Sequence, residues 1–419
     1  MQRQGRRVSK NVQVLFVTWD GPNSTYLEAL FLPILAALRE RGFDFHVLQF
    51  TWGNDRERAA IARSCRAARV VYRSASIWRR PLALGSLVTA IFGIAQVRRA
   101  MRAHQIQLLL PRSTFPAMAA IPAAGHGRRR VPVLLDADGL PHDERVEFAG
   151  ASSRGISYRL LRRLEAWSVR RADAVTVRTS RAIEILSQRA AVGAERFHVV
   201  ANARDASLFR APSNEDRRAR RREMGVVEGQ PLLVYVGTSL SGKYRGEDML
   251  RFFREVRALR ADARLLLLMP NEHEARVMLA RHSDLAPHCI MRSAAPNEVP
   301  AWVGAGDLGL ALIHATFSMQ AVSAIKVGEY LLCGVPVLAS SGVGDTDTLV
   351  DGEVGRCLSD YGHEGLSAGA RWFVHEVLSQ REAFRQRCRA RGLEHYSLEC
   401  AIDGYEAALR AALAARFSE

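Results

Sequence analysis

The chain has 419 residues, 48% of them hydrophobic and 24% charged, with 59 Lys+Arg against 43 Asp+Glu and a net charge of +16. Such a length builds two to three domains with large cores, and the composition excludes a wholly disordered, collagen-like or multi-span membrane chain. The basic balance fits a nucleic-acid or membrane-surface partner. Yet only three basic residues are lysines, Lys10, Lys243 and Lys326, and the other 56 are arginines. A general replacement of surface Lys by Arg accounts for that skew. It singles out the lysines that persist, because a point charge on a flexible stem and a rigid planar fork are not interchangeable. The six cysteines, Cys65, Cys289, Cys333, Cys357, Cys388 and Cys400, have no C-x-x-C spacing. They read as reduced thiols, not as a metal site or a disulfide framework.

A basic start (Arg3, Arg6, Arg7, Lys10) precedes the apolar run Val12–Trp19, which ends at Asp20 with no cleavage site and reads as a first strand, not a signal peptide. Leu27, Leu30, Phe31, Ile34, Leu35 and Leu38 then recur at helical spacing, Gly42 stops the helix, and Phe45–Phe50 reads as a second strand. The seventeen uncharged residues Pro81–Val97 are bracketed by Arg79, Arg80, Arg98 and Arg99. That is the lower limit for a bilayer span, and Gly85, Ser86, Thr89, Gly93 and Gln96 dilute it. A helix packed on a sheet is favoured, ahead of a helix lying in a membrane interface. Further strands are expected at Val70–Tyr72, Ile106–Leu110, Val131–Asp136, Ala174–Arg178 and Phe197–Val200. This βαβ alternation implies a mostly parallel, doubly wound sheet.

The pattern pauses at Asn202–Pro212, and a charged stretch with RRARRR follows, read as a solvated helix face because no aromatic residues interleave it. Alternation restarts at Leu232–Val236 and continues through Arg264–Met269, Cys289–Met291, Leu308–Ile313, Val335–Ser340 and Gly355–Leu358. The expectation is two Rossmann-like halves: an N-terminal domain over 1–205, a C-terminal domain over 206–396, and a final helix over 397–419 that returns to the first. The helix spanning Ser153–Arg171 is amphipathic and basic.

Four segments offer chemistry. In SAIKVGEYLLCGVPVLAS, from Ser323, Lys326 and Glu329 share a helix face near a helix start, where free N–H groups and a cation suit phosphate and a carboxylate suits ribose hydroxyls; the alternative is a surface i,i+3 ion pair. In LLVYVGTSLSGKYRGEDML, from Leu232, a strand runs into Gly237 and Thr238, with Lys243 and Arg245 placed to neutralise a diphosphate; a plain βα loop is the alternative. Gly342 and Gly344 mark a third loop at a strand's carboxyl end. In LLDADGLPHDER a strand ends in Asp136, Asp138 and Gly139, with His142, Asp143, Glu144 and Arg145 after it; paired carboxylates there suit acid–base work or Mg²⁺, and turn-forming and acceptor-binding roles are preferred over metal binding.

Together with the junction VVANARDASLF (Val199–Phe209) and RADAVTVRTSRAIEIL (Arg171–Leu186), these motifs resemble the GT-B retaining glycosyltransferases of glycosyltransferase family 4. The resemblance is strongest from Arg171 to Gly355. It implies a GT-B fold, with a nucleotide-sugar donor on the C-terminal domain, an acceptor against the N-terminal domain, and no metal or cofactor. Glu329 matches the second glutamate of the family's pair and would hold the donor ribose. The first glutamate falls on Ala321, so the pair is broken, while S-x-x-K-x-x-E from Ser323 matches other branches. Gly21-Pro22-Asn23-Ser24 departs from the usual glycine pair of the first loop.

The expected site therefore comprises Lys243, Asp138 and His142 as catalytic residues. Gly237, Thr238, Arg245, Ser323, Lys326, Glu329, Gly342 and Gly344 would bind the donor. The expected reaction is retaining transfer from a UDP- or GDP-sugar to a hydroxyl of a lipid-linked or cell-surface glycan. It would occur in the cytoplasm, peripheral on the inner face of the plasma membrane where anionic lipid attracts basic helices. The alternatives are a GT-B sugar-nucleotide epimerase and a non-catalytic basic membrane or nucleic-acid binding protein. With no recognised nucleic-acid motif, no nucleic-acid partner is expected.

Overall fold

The computed structural model describes residues 11–21, 24, 26–78 and 82–415. Lys10, Pro22, Asn23, Arg79, Arg80 and the earlier arginines lie outside the described residues. The N-terminal strands are β1 (Val12–Trp19), β2 (Phe43–Thr51), β3 (Val71–Ser76), β4 (Leu108–Pro111), β5 (Leu134–Asp136), β6 (Ala174–Val177) and β7 (Phe197–Val199). They pair in the orders β3-β2-β1-β4 and β5-β6-β7, all parallel. Single bridges from Leu109 to Val133 and from Arg112 to Asp136 join the two sets. The C-terminal strands are β8 (Leu232–Val236), β9 (Arg264–Leu268), β10 (Cys289–Arg292), β11 (Leu308–Ala311), β12 (Val337–Ser340) and β13 (Gly355–Leu358). They form one parallel sheet, β10-β9-β8-β11-β12-β13. Each half is thus doubly wound about its first strand, which places functional loops at the carboxyl strand ends.

Buried strands read as continuous apolar runs because helices cover both sheet faces. Helix Leu32–Glu40 buries Leu32, Ile34, Leu35 and Leu38 against one face of the first sheet. On the other face, helix Leu82–His104 buries Ala90, Val97 and Ala100. Among the described residues no helix is long and apolar enough to cross a membrane. Helix Arg381–Tyr396 packs on the C-terminal half, the chain crosses at Ser397, and helix Leu398–Ala415 joins the N-terminal core through Ile402, Tyr405 and Leu409.

The RRARRR run is not uniformly solvated, which corrects the sequence reading. Arg217 and Arg221, with Arg381, converge on the buried Asp307 at 2.6, 3.2 and 3.1 Å. Arg220 stacks over Trp302 at 4.4 Å. A buried carboxylate needs such partners, so several of these charges serve the fold. The described cysteines are all unpaired.

Candidate active site

The loop after β8 is stitched to the end of β11. Tyr244 bridges Ile313, Arg245 N–H donates to the Leu312 carbonyl at 3.1 Å, and His314 N–H donates to the Lys243 carbonyl at 2.9 Å. Gly237 and the exposed Thr238 begin this loop. Arg245 is held inside its own domain, with Nη1 on Asp248 at 2.7 Å and its guanidinium 3.8 Å from the Tyr361 ring centre. Its Nε is buried without a hydrogen bond among the described residues.

Lys326 and Glu329 lie on helix Ile325–Leu332, and both are buried, at 7% and 8% exposure. They do not form the surface pair that their spacing also allows. Glu329 Oε1 accepts from Arg204 Nε at 2.8 Å, tying the helix to the interdomain linker. Lys326 Nζ sits 4.1 Å from the ring centres of both Tyr235 and Tyr244 and has no hydrogen bond among the described residues. Burial lowers its pKa to about 7, with Glu329 opposing and Lys243 reinforcing that shift. The neighbouring Tyr330 fixes the helix: its hydroxyl accepts from Val236 N–H at 3.0 Å and donates to the Leu310 carbonyl at 3.2 Å. Only a glycine fits beneath its ring, since a Cβ at Gly309 would lie 2.4 Å from Tyr330 Cγ.

Ser323 and Gly344 lie beside the linker and the N-terminal half, whereas Gly342 packs within its own domain against Ala315. The Ser323 carbonyl accepts from Asn202 Nδ2 at 2.8 Å, and Gly342 N–H donates to Asp347 at 2.7 Å. Gly344 has φ +52°, and a Cβ there would stand 2.3 Å from the Val322 carbonyl. Asp345 accepts from Ser180 N–H at 2.7 Å across the divide. Between these loops and Arg178, Thr179 and Ser180 lies a cavity of about 620 Å³.

The N-terminal wall is an ionic network. Asp136, with no exposure, takes both oxygens to Arg178 Nη2 at 2.8 Å and accepts from Thr176 Oγ1 at 2.8 Å and from the Tyr405 hydroxyl at 3.2 Å. This structural ion pair removes Asp136 from acid–base work. Asp138 pairs with Arg112 and lies 3.8 Å from Arg178 Nε. It remains 36% exposed, and so can face an acceptor with one carboxylate already oriented by two guanidinium groups. The next residue, Gly139, faces the Ala321 carbonyl, so this loop meets the segment where the family's first glutamate would stand.

His142 is not brought to the donor loops. It is buried, its Nε2 lies 3.0 Å from Thr114 Oγ1, and it lines a separate pocket within the N-terminal half. Burial lowers its pKa to about 4 against the pull of Asp143. Two other carboxylates on the same helix, Pro141–Phe148, cross the cleft instead. Glu144 accepts from Lys243 Nζ at 3.0 Å. Glu147 accepts from Thr316 Oγ1 at 2.6 Å, from Ser318 N–H at 3.1 Å and from the Ser318 hydroxyl. Their three-residue spacing on a helix was the available sequence signal. The roles of Arg112, Arg178 and Arg204 carried none, because each partner is distant in sequence.

The arrangement offers cations, N–H groups and hydroxyls on one wall and a carboxylate-guanidinium network on the other. Residues 28–208 match the profile of Glycosyltransferase Family 4. No curated protein matches the sequence. Among solved structures, Anabaena HepE with UDP is 16% identical, with 96% of this chain and all of that one covered at a TM-score of 0.69. A glycosyltransferase from Rickettsia africae is 10% identical over 96% and 98%, with a TM-score of 0.71. Sucrose-phosphate synthase from Thermosynechococcus elongatus is 14% identical over 97% and 100%, at 0.69. With its two facing doubly wound sheets and its returning terminal helix, the chain has the GT-B fold of these structures, and its residues 28–208 are similar to Glycosyltransferase Family 4.

Proposed function

We propose that the protein transfers a glycosyl unit, with retention, from a UDP- or GDP-sugar to a hydroxyl of a lipid-linked or cell-surface glycan. The observation that carries this reading is the Lys326 ammonium held between Tyr235 and Tyr244, beside Lys243, with no hydrogen bond among the described residues. A buried cation without a partner is costly, and an anionic ligand would offset that cost. HepE has been solved with UDP, with UDP and glucose, and with UDP-glucose, which supports a uridine diphosphate donor.

In this reading Lys243, Arg245 and Lys326, rather than a metal ion, meet the charge that grows on the leaving diphosphate. Glu329 and the loops at Gly237–Thr238, Ser323 and Gly342–Gly344 hold the remainder of the donor. Asp138 orients the acceptor hydroxyl. Attack comes from the face that the diphosphate leaves, and the departing phosphate takes the proton. Closure of the two halves keeps water from the donor.

The test is turnover of UDP- and GDP-sugars by the purified protein. Lys243→Ala should lower turnover at least tenfold with little change in melting temperature, and equal activity would remove Lys243 from the site. Without acceptor, slow release of free sugar is expected, whereas an epimerised nucleotide-sugar would favour the epimerase, a fold also seen in a Listeria monocytogenes neighbour at a TM-score of 0.57. Steeply salt-dependent DNA binding would favour the binding-protein alternative.

A further inference from the structure

Helix Pro141–Phe148 has two working sides. One presents Glu144 and Glu147 to the donor loops. The other closes a pocket of about 380 Å³ against helices Leu82–His104 and Ile156–Arg171. Leu87, Phe115, Tyr158, Leu160, Leu161 and Leu164 form most of its walls, and three serines join His142 and Arg145 as its polar points. This apolar lining with sparse polar points is the usual build of a small-molecule site, and the volume lies within the usual range of about 300–1,000 Å³. It differs from the cleft cavity, whose lining includes Arg178, Arg181, Glu184 and Asp345.

The charge around the pocket narrows what fits it. Arg145 lines it, is itself exposed, and forms no salt bridge among the described residues. The exposed Arg154, Arg159 and Arg163, on or just before the helix of the opposite wall, do not line the pocket, so Arg145 is the cation among its lining residues. An occupant with a hydrocarbon chain and an anionic head satisfies both the apolar lining and Arg145. Helix Pro141–Phe148 is about 12 Å long. A head group at Arg145 therefore lies within one short helix of Glu144 and Lys243.

We propose that this pocket holds the hydrocarbon chain of an amphiphilic phosphate-bearing acceptor, with its anionic head beside Arg145. The proposal rests on the transferase reading and names the acceptor's class within it. A chain seated there leaves the head at Arg145, one residue from the cleft-facing Glu144, and the neutral His142 lets the pocket stay apolar.

The experiment titrates the full chain with octyl, decyl and dodecyl phosphate below their micelle concentrations, with inorganic phosphate as control. Each added methylene should tighten binding about fourfold until the pocket is full. Leu161→Trp, which fills the pocket, should weaken dodecyl phosphate at least tenfold with UDP binding unchanged. Leu164→Phe gives the same readout with a smaller volume change should the first variant not fold. Arg145→Ala should weaken dodecyl phosphate but not dodecyl maltoside. Undiminished dodecyl phosphate binding by both pocket variants overturns the proposal. So does loss of binding only when the exposed Ile91 and Phe92 are made serine, which would assign the alkyl chain to an open surface such as a bilayer contact. Failure of the native chain to bind any nucleotide or nucleotide-sugar would overturn the donor reading instead, and the alkyl phosphate series reads independently of it.

Discussion

Lys243 Nζ reaches across the cleft to Glu144 Oε1 at 3.0 Å, so the residue proposed to meet the donor phosphate is paired with a carboxylate of the N-terminal half. Burial lowers the pKa of this ammonium, but Glu144 outweighs burial and leaves it raised. Both side chains are about a third exposed, at 32% and 36%. Such a pair contributes at most about 1 kcal/mol. Glu144→Gln should therefore tighten UDP binding by up to about fivefold in calorimetric titration. Weaker binding would instead show that Glu144 positions the lysine.

Glu147 occupies hydrogen-bond donors of Thr316 and Ser318 in the same way. These lie in the loop before Ala321, where the family resemblance puts the donor sugar. Glu147→Ala should tighten UDP-sugar more than UDP, by a few-fold. Equal effects on both ligands would place the loop at the nucleotide rather than the sugar.

Lys326 is expected to couple donor binding to pH. Its pKa of about 7, set by burial, leaves it increasingly neutral in the free protein as pH rises above 7. A bound diphosphate favours the ammonium, so binding takes up a proton and affinity should fall above pH 7, by at most about tenfold per unit. Stability without ligand runs the other way. Between pH 7 and 10.5 the unfolded chain holds a proton that the folded chain does not, so stability from this group rises with pH. Lys326→Met should remove both dependences in UDP titrations and urea unfolding.

The buried pair of Arg178 and Asp136, with the Tyr405 hydroxyl upon it, joins β5, β6 and the terminal helix. Asp136→Asn leaves a buried guanidinium poorly compensated and should cost about 3–5 kcal/mol in urea unfolding. Tyr405→Phe should cost about 1 kcal/mol. A loss of turnover in Asp136→Asn without destabilisation would restore Asp136 as a reacting group.

His142 predicts acid sensitivity. Its pKa falls from 6.5 unfolded to about 4 folded because it is buried. Below pH 6.5 the unfolded chain takes up a proton that the folded chain resists. Its stabilisation is present above pH 6.5 and lost as pH falls toward 4, of order 3 kcal/mol in all. His142→Gln should flatten stability across that window, and an unchanged pH profile would show that another group governs it.

The thirteen strands among the described residues were legible because most are short apolar runs, as a parallel sheet covered on both faces demands, and those runs are local in sequence. Helix Pro141–Phe148 is different: His142, Glu144 and Glu147 lie within six residues, yet the first faces an apolar pocket while the other two cross the cleft. Periodicity separates such faces but does not say which neighbour each will meet. The same holds for charge. The sequence by itself determined two doubly wound halves, their linker, and the two lysines worth following. Only the tertiary structure decided which of the many arginines neutralise buried carboxylates, as Arg178 does for Asp136 and Arg217 and Arg221 do for Asp307. It also decided that Lys326 has no such partner among the described residues. The reason is physical: a strand's burial is written in its own residues, whereas the state of a charge depends on partners that the chain brings together from far along its length.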